Sequence, residues 1–328
     1  MVKKIVMLLN CSRFFALPMT ILSWLVIFVY SYINSGNILY GILALIGLCF
    51  VHLGANITDD FIDYKWLTKQ VGYNREEYLQ NTQKTKCRYI INGIMSEKQV
   101  LIFALECFTI GTIVGLFLFY KCGIGVFYYA LIGAIIAICY SLASRVCLAE
   151  LFLCIAYGPA LFGGVYYVMC GTYSKEVFLL SIPTMLITIT LLYIHMVMDY
   201  QFDLNEGKKT IANRFNSQLD ALIILKYLLI LAYISIVFLC IFNITDWQVF
   251  LTYLTIPLAL DLYSSMKDFS INPDSIPKYK WYHFPMENLE KLKENNAATF
   301  MIRMYQARNL MIYFALLLTL GIILSCAV

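Results

Sequence analysis

The chain has 328 residues, of which 61% are hydrophobic and only 13% are charged, whereas about a quarter of an ordinary soluble domain is charged. A mean hydropathy of +0.74 leaves more apolar side chain than one water-soluble core can bury, so a soluble globular fold is excluded and contact with lipid is expected. The net charge is only +4 and there is no basic arm, so we expect no nucleic acid partner. The eleven cysteines form no C-x-x-C pair and are expected to be structural thiols.

Nine apolar stretches are each long enough to cross a bilayer, which takes about 20 helical residues. In chain order they are approximately Phe14–Ile33, Ile38–Ala55, Val100–Tyr120, Gly123–Ala143, Leu151–Cys170, Val177–Met198, Ala221–Phe242, Trp247–Ser265 and Leu310–Ala327. Their pattern is helical or continuous and lacks the alternation of barrel strands. We therefore predict an all-α fold, a polytopic membrane helical bundle of about nine transmembrane helices that forms a single domain over residues 1–328.

The basic residues predict how the bundle is oriented. Of the 24 lysines and arginines, all except Lys121 and Lys175 fall on one side of the nine predicted helices or just inside it. By the positive-inside rule this side is cytoplasmic, so we expect a multi-pass protein of a cell membrane, that of a bacterium, with a cytoplasmic N-terminus. The long loops 64–98, 199–220 and 266–309 lie on the same side, which predicts a cytoplasmic-side active site. The stretch 287–296 is compatible with an interfacial helix.

Two groups of carboxylates follow predicted helices on this side. The first group comprises Asn56, Asp59, Asp60 and Asp63, and the second comprises Asp199 and Asp203. Spacings of three, four and seven residues put the members of each group on one helix face. Like charges this close require a compensating cation or a basic side chain. Carboxylate oxygens suit Mg²⁺, which is usually bound through one or two carboxylates together with substrate phosphates. The pattern predicts that all six residues bind Mg²⁺ and a diphosphate, with Asp60, Asp63, Asp199 and Asp203 as the main ligands and Asn56 and Asp59 in support.

Basic residues after the acid groups are candidates for clamping the diphosphate. They are Arg88, Arg145, Lys208 and Lys209. The alternative interpretation is a solvated positive-inside loop for the two lysines and membrane anchoring for Arg145.

Four further polar side chains fall within predicted helices. His52 and His195 lie one turn before Asn56 and Asp199, respectively. Each is a candidate to contact a substrate or to hold a neighbouring side chain, although a lone helical histidine is more often a packing residue. Glu106 and Asp261 are costly in lipid, so both are expected to face the interior of the bundle.

At these residues the sequence resembles the UbiA superfamily of intramembrane prenyltransferases. The family's Asn-Asp-x-x-Asp motif appears as Asp59-Asp60-Phe61-Ile62-Asp63, and Asp199 with Asp203 matches its Asp-x-x-x-Asp motif. Residues 88–96 are similar to its Arg-Pro-x-x-x-Gly-x-x-Ser segment, except that Tyr89 replaces the proline. Three segments resemble the menaquinone branch: Gly207-Lys208-Lys209-Thr210-Ile211-Ala212, Leu148-Ala149-Glu150 and Gly158-Pro159.

The resemblance implies Mg²⁺-dependent transfer of a polyprenyl group from a polyprenyl diphosphate donor to an aromatic acceptor within the lipid bilayer. The menaquinone-like segments imply 1,4-dihydroxy-2-naphthoate as the acceptor, and 4-hydroxybenzoate is the alternative. From the residues alone, a polytopic secondary transporter or proton relay also remains open, because carboxylates in membrane bundles mark ion pathways. The position of the acids at helix ends, away from the bilayer midplane, favours the enzyme.

Overall fold

The computed structural model describes residues 8–70, 72–80, 87–205, 209–294 and 297–326. Within these ranges nine helices are long and apolar enough to cross a membrane, and there is no strand. The nine are α1 Phe14–Ile33, α2 Ile38–Leu67, α3 Glu97–Cys122, α4 Ile124–Ala143, α5 Ala149–Cys170, α6 Lys175–Met198, α7 Gln218–Ile241, α8 Trp247–Ile271 and α9 Ala298–Ser325. The prediction of an all-α membrane bundle of about nine helices is confirmed.

Two helices extend well beyond their apolar stretches. α2 continues through the first acid group to Leu67, and α9 begins at Ala298, twelve residues before the predicted start at Leu310. Hydropathy marks only the part of a helix that lies in lipid, whereas the backbone hydrogen bonds of a helix continue into the aqueous layer. The connection between α8 and α9 therefore shortens to residues 272–297, and a short helix, Leu289–Glu294, forms within its polar stretch.

The helices differ in how deeply they are enclosed. α6 is the most enclosed of the nine helices, with 67% of its apolar 18-residue stretch buried. The corresponding value for each of α2, α3 and α4 is 22%. The outer faces of these three helices carry exposed Leu, Ile and Phe side chains. Since such surfaces are unfavourable in water, they are the faces that contact lipid.

α2 and α3 approach each other closely through small residues. A Cβ atom on Gly111 of α3 would lie 2.7 Å from Val51 Cγ2 of α2, and one on Gly54 of α2 would lie 3.2 Å from Cys107 Cβ. Glycines allow membrane helices to pack at short distance, where van der Waals contact holds them together. This packing fixes the end of α2 that carries the first acid group.

α5 is interrupted at its middle by a π-helical turn, Ala156–Ala160. Pro159 lies inside this turn, and Gly158 has non-helical backbone angles of φ −99° and ψ −111°. A proline within a helix removes one backbone hydrogen bond and clashes with the carbonyl of the preceding turn, so the helix widens there. The kink divides α5 into two segments and places Tyr157 at the break.

The connection 272–297 is held against α8 and α9 by buried polar side chains. Asp261 accepts hydrogen bonds from Lys280 Nζ (3.0 Å), Tyr282 (2.5 Å) and His283 Nε2 (3.0 Å). The fully buried Arg303 donates to the backbone oxygens of Ser265 and Ser275, both at 2.9 Å. Asp261 therefore has partners within the protein, as its predicted position required.

Two other predictions about single side chains are tested here. Glu106 is exposed on α3, so the prediction that it faces the interior is wrong. A helix rise of 1.5 Å per residue puts it about 24 Å from Cys122 at the far end of α3, close enough to the interface for its carboxylate to reach water. All eleven cysteines are free thiols, in agreement with a structural role.

Candidate active site

The two acid groups lie at the same level of the bundle, on the side that carries the long connections, which we call the basic side. At 1.5 Å per residue, Asp59 is about 32 Å from Ile38 along α2, and Asp199 is about 36 Å from Lys175 along α6. As the second and the sixth of nine consecutive spans, both helices are expected to start on the opposite side, and the hydrocarbon layer is about 30 Å thick. The acids therefore sit at the membrane interface of the basic side rather than at the midplane.

The first acid group faces the end of α4 in matching register. Ser141 Oγ donates a hydrogen bond to Asp59 Oδ1 (2.8 Å), and Arg145 Nη2 lies 3.3 Å from Asp63 Oδ1. The two carboxylates are four residues apart in sequence, and so are their two donors, so one turn of α2 lies alongside one turn at the end of α4. The Arg145 guanidinium also stacks over the ring of Trp66, 4.0 Å from its centroid. These contacts bring the predicted Arg145 to the predicted acids.

A second arginine, which the sequence interpretation missed, also belongs to the first acid group. Arg13 precedes α1 in a left-handed backbone conformation, with φ 55°, and forms an ion pair with Asp60 and a longer one of 3.7 Å with Asp59 Oδ2. Burial alone would lower the pKa of the Arg13 guanidinium, but the charges of Asp60 and Asp59 raise it above its ordinary value. The available signal was its position at the end of an apolar stretch, on the same side as the acids.

Two other predicted residues of the first region have different surroundings. Asn56 Nδ2 donates to the backbone oxygen of Ser12 (3.2 Å), which ties α2 to the segment before α1. Arg88 Nη2 donates to the backbone oxygen of Leu79 (2.7 Å), and in the part of the chain that the structure describes it pairs with no carboxylate. Its assignment to the diphosphate stays a prediction.

The second acid group lies where α6 ends and a short helix, Tyr200–Asn205, begins. The Asp203 backbone N–H donates to the Asp199 backbone oxygen (2.8 Å), so the two carboxylates keep a helical spacing across the break. His195 Nδ1 lies 3.0 Å from Asp199 Oδ2, and its ring packs edge-on against Phe300 of α9. Asp203 is buried and Lys209 is exposed. The predicted Lys208 falls outside the described residues.

One segment, residues 141–150, contacts both acid regions. At its start Ser141 and Arg145 hold Asp59 and Asp63, as described above. At its end, the buried Glu150 accepts a hydrogen bond from the Ile211 backbone N–H (2.9 Å), in the connection that follows the second acid group. Arg214 Nε adds a contact of 3.5 Å to Cys147 Sγ. The segment thus joins the two acid regions on the basic side.

The donor atoms of both groups suit a hard divalent cation. Asp59 and Asp60 pair with Arg13, Asp63 with Arg145 and Asp199 with His195. The side chains of Asp63 and Asp199 are still 11% and 24% exposed. Carboxylate oxygens at an interface are the ligands that Mg²⁺ prefers, with substrate phosphates completing its shell. No group of three or more His, Cys, Asp or Glu is gathered closely enough to hold a metal alone within the described ranges. By their chemistry, the carboxylates of the two groups fit Mg²⁺ that is bound together with a phosphate ligand.

Comparisons with known proteins agree with this architecture. The model of the UbiA prenyltransferase family matches residues 16–284. Three solved structures are similar: a digeranylgeranylglyceryl phosphate synthase (15% identity, 99% of both chains, TM-score 0.56), an apo UbiA homologue from Aeropyrum pernix K1 (15%, 93% and 97%, 0.58), and a UbiA homologue from Archaeoglobus fulgidus bound to GPP and Mg²⁺ (13%, 92% and 99%, 0.53). At these identities they establish the fold. No curated protein sequence matches the chain.

Proposed function

The chain belongs to the UbiA prenyltransferase family, and on this basis we propose that it transfers a polyprenyl group from a polyprenyl diphosphate to an aromatic acceptor, with 1,4-dihydroxy-2-naphthoate as the acceptor. Family membership confirms the predicted prenyltransferase; the menaquinone branch and the acceptor stay predictions. The observation that carries the proposal is that residues 141–150 contact the first acid group and also the connection that follows the second acid group.

The residues of the two acid groups divide into metal ligands and diphosphate contacts. Asp59, Asp63, Asp199 and Asp203, with the Asn56 amide oxygen in support, would hold Mg²⁺. When bound, Mg²⁺ neutralises the diphosphate and makes it a better leaving group. The A. fulgidus homologue bound to GPP and Mg²⁺ supports this role. Asp60 forms an ion pair with Arg13 through one carboxylate oxygen, and it is proposed as a further ligand of the ion.

Positive side chains at the interface would hold the diphosphate. Arg145 lies 3.3 Å from Asp63 Oδ1, and its planar guanidinium group would suit the paired oxygens of a phosphate bound there. Arg88, Lys208 and Lys209 are the remaining candidates from the sequence.

The transfer itself needs a dry site. The bond between C1 of the donor and the diphosphate oxygen breaks, and its electron pair leaves with the diphosphate. A ring carbon of the acceptor forms the new bond to C1, and the proton of that ring carbon is then lost, which restores aromaticity. Water would capture the allylic cation, so the apolar helices below the acid groups protect it. Aromatic faces, which this chain has in abundance, stabilise such a cation.

The acceptor assignment draws on the three segments that resemble the menaquinone branch, one of which is Gly158-Pro159. The other two are Leu148-Ala149-Glu150 and 207–212, and a hydrogen bond joins Glu150 to Ile211. The other acceptors to compare are 4-hydroxybenzoate and, because one similar structure is a digeranylgeranylglyceryl phosphate synthase, a glyceryl phosphate lipid. We further propose that the basic side faces the cytoplasm, which the distribution of lysine and arginine supports.

The test is a transfer assay with a panel of acceptors. Membranes that contain the protein are incubated with labelled geranyl diphosphate and each acceptor in turn, with and without Mg²⁺. We expect a labelled, Mg²⁺-dependent product with 1,4-dihydroxy-2-naphthoate. A product with another acceptor alone would correct the acceptor, and the absence of any product with all of them would contradict the proposed activity.

A further inference from the structure

Three polar side chains meet inside the bundle, beneath the first acid group. Thr20 of α1, His52 of α2 and Tyr157 of α5 come from three different helices. Thr20 Oγ1 lies 2.6 Å and the Tyr157 hydroxyl 3.3 Å from the same atom, His52 Nδ1. Thr20 and Tyr157 are buried, and Tyr157 sits in the π-helical turn of α5. Two hydroxyl groups therefore fix one ring nitrogen from two sides.

The other ring nitrogen of His52 has no such partner. Thr20 is the nearer of the two hydroxyl groups, and a hydroxyl can donate to or accept from an imidazole nitrogen; we assign Nδ1 as the acceptor of the Thr20 hydroxyl and place the ring proton on Nε2. Nε2 makes no hydrogen bond within the described ranges, and protein atoms do not enclose it fully. It is therefore an accessible N–H donor. A histidine that served packing alone would be expected to satisfy both nitrogens.

His52 is also in the correct place for the acceptor. It precedes Asn56 by four residues and Asp59 by seven, so the three share one face of α2. At 1.5 Å per residue it lies about 10 Å deeper in the membrane than Asp59. A donor whose diphosphate is held at the acids has its C1 atom just below them, and an aromatic ring that attacks C1 must lie between the acids and the apolar interior. His52 is a hydrogen-bond donor at that depth.

We propose that His52 Nε2–H donates a hydrogen bond to a ring hydroxyl oxygen of the aromatic acceptor, and that Thr20 and Tyr157 act as positioning residues that fix the tautomer and the orientation of the imidazole. The site would select hydroxylated aromatic rings, because a ring that lacks the oxygen leaves the N–H group unpaired. This inference rests on the proposed function and extends it to the recognition of the acceptor.

Two ligands that differ only in the ring hydroxyls test it directly. Binding of 1,4-dihydroxy-2-naphthoate and of 2-naphthoate is measured by calorimetry on the detergent-solubilised protein with inorganic diphosphate and Mg²⁺ present, so that no transfer can occur; geranyl diphosphate binding is titrated separately, without an acceptor. For His52→Leu we expect about a tenfold loss of affinity for the dihydroxy compound, which is the effect of about 1.4 kcal/mol, and less than a twofold change for 2-naphthoate. The affinity for geranyl diphosphate should stay within twofold of the wild type.

Thr20→Val provides a second variant that preserves shape if His52→Leu fails to fold. It should lower the preference for the hydroxylated ligand by about threefold, because the ring tautomer is no longer fixed. Thr255→Val is the matched control, since Thr255 Oγ1 makes a similar hydrogen bond to Tyr233, at 2.8 Å, away from the acids. Its preference should be unchanged.

The outcomes separate the inference from the function on which it rests. If the wild type prefers the dihydroxy compound and both variants keep that preference, or lose affinity equally for both naphthoates, His52 does not recognise the hydroxyl and the inference is overturned alone. If the wild type binds neither naphthoate, the proposed acceptor class is wrong, and this inference is overturned with it.

Discussion

Arg13 offers the strongest test of how the first acid group is built. Its guanidinium forms an ion pair with Asp60, whose side chain is only 3% exposed. Arg13→Gln removes the positive charge and leaves the Asp60 carboxylate at the same depth. We expect a marked loss of stability, because a buried carboxylate that loses its guanidinium has no bulk water to replace it.

The magnitude follows from the burial of the two partners. Removal of one member of a buried ion pair costs about 3–5 kcal/mol. Arg13 is itself 25% exposed, so water partly screens the pair and the lower end, about 3 kcal/mol, is expected. The matched control is Lys65→Gln, which breaks the ion pair of Lys65 with Glu97, whose side chains are 44% and 41% exposed. Such surface pairs contribute about 0–1 kcal/mol.

The measurement is the free energy of unfolding in mixed detergent micelles, taken for the wild type and for each variant. The double variant Arg13→Gln/Asp60→Asn should recover most of the loss, because the buried negative charge is then removed as well. Equal effects of Arg13→Gln and Lys65→Gln would refute the reasoning, as would a double variant no more stable than Arg13→Gln alone.

Three further predictions concern the metal ligands, their support and pH. Asp63→Ala and Asp203→Ala should each lower turnover more than a hundredfold while the protein remains in the membrane, as a transfer assay and membrane fractionation would show; retained activity in both would remove these residues from the site. Ser141→Ala should raise the Mg²⁺ concentration needed for half-maximal turnover about tenfold, since Asp59 loses the donor that orients it. An unchanged Mg²⁺ titration would contradict this role. Burial lowers the pKa of His283 despite the opposing hydrogen bond to a carboxylate, so the unfolded chain binds this proton more readily than the folded chain. The free energy of unfolding should therefore fall as the pH drops below about 6.5 and through the lower pKa of the folded state. His283→Asn should flatten that pH dependence in a thermal unfolding series.

Hydropathy predicted the number and type of helices because lipid leaves the backbone few alternatives to a helix. The same signal misplaced the start of α9, since residues 298–309 are polar enough to interrupt the apolar stretch but still helical. Hydropathy also gave no information on Arg303, which is buried by a network within the protein and not by lipid.

The acid groups were predictable because their spacing repeats with the period of a helix, and Arg145 because it ends an apolar stretch on the same side. Arg13 carried the same signal as Arg145, but the carboxylates that it pairs with were not predictable, and neither was the contact of Ser141. Each meets Asp59 only because separate helices end beside α2, and neighbour relations between helices are not encoded in the pattern of any one segment. Arg88 is the opposite case: its motif predicts a contact with the diphosphate, whereas in the structure its side chain donates a hydrogen bond to the backbone oxygen of Leu79.

The pairing of two guanidinium groups with the three aspartates of α2 has a consequence for the biogenesis of the enzyme. Because most of the negative charge is balanced from within the chain, the apoprotein can be inserted and folded before any ion arrives, unlike small zinc domains that need metal to fold. Chelation should therefore silence the enzyme reversibly, and the holoenzyme should reassemble on the existing scaffold when the ion is returned.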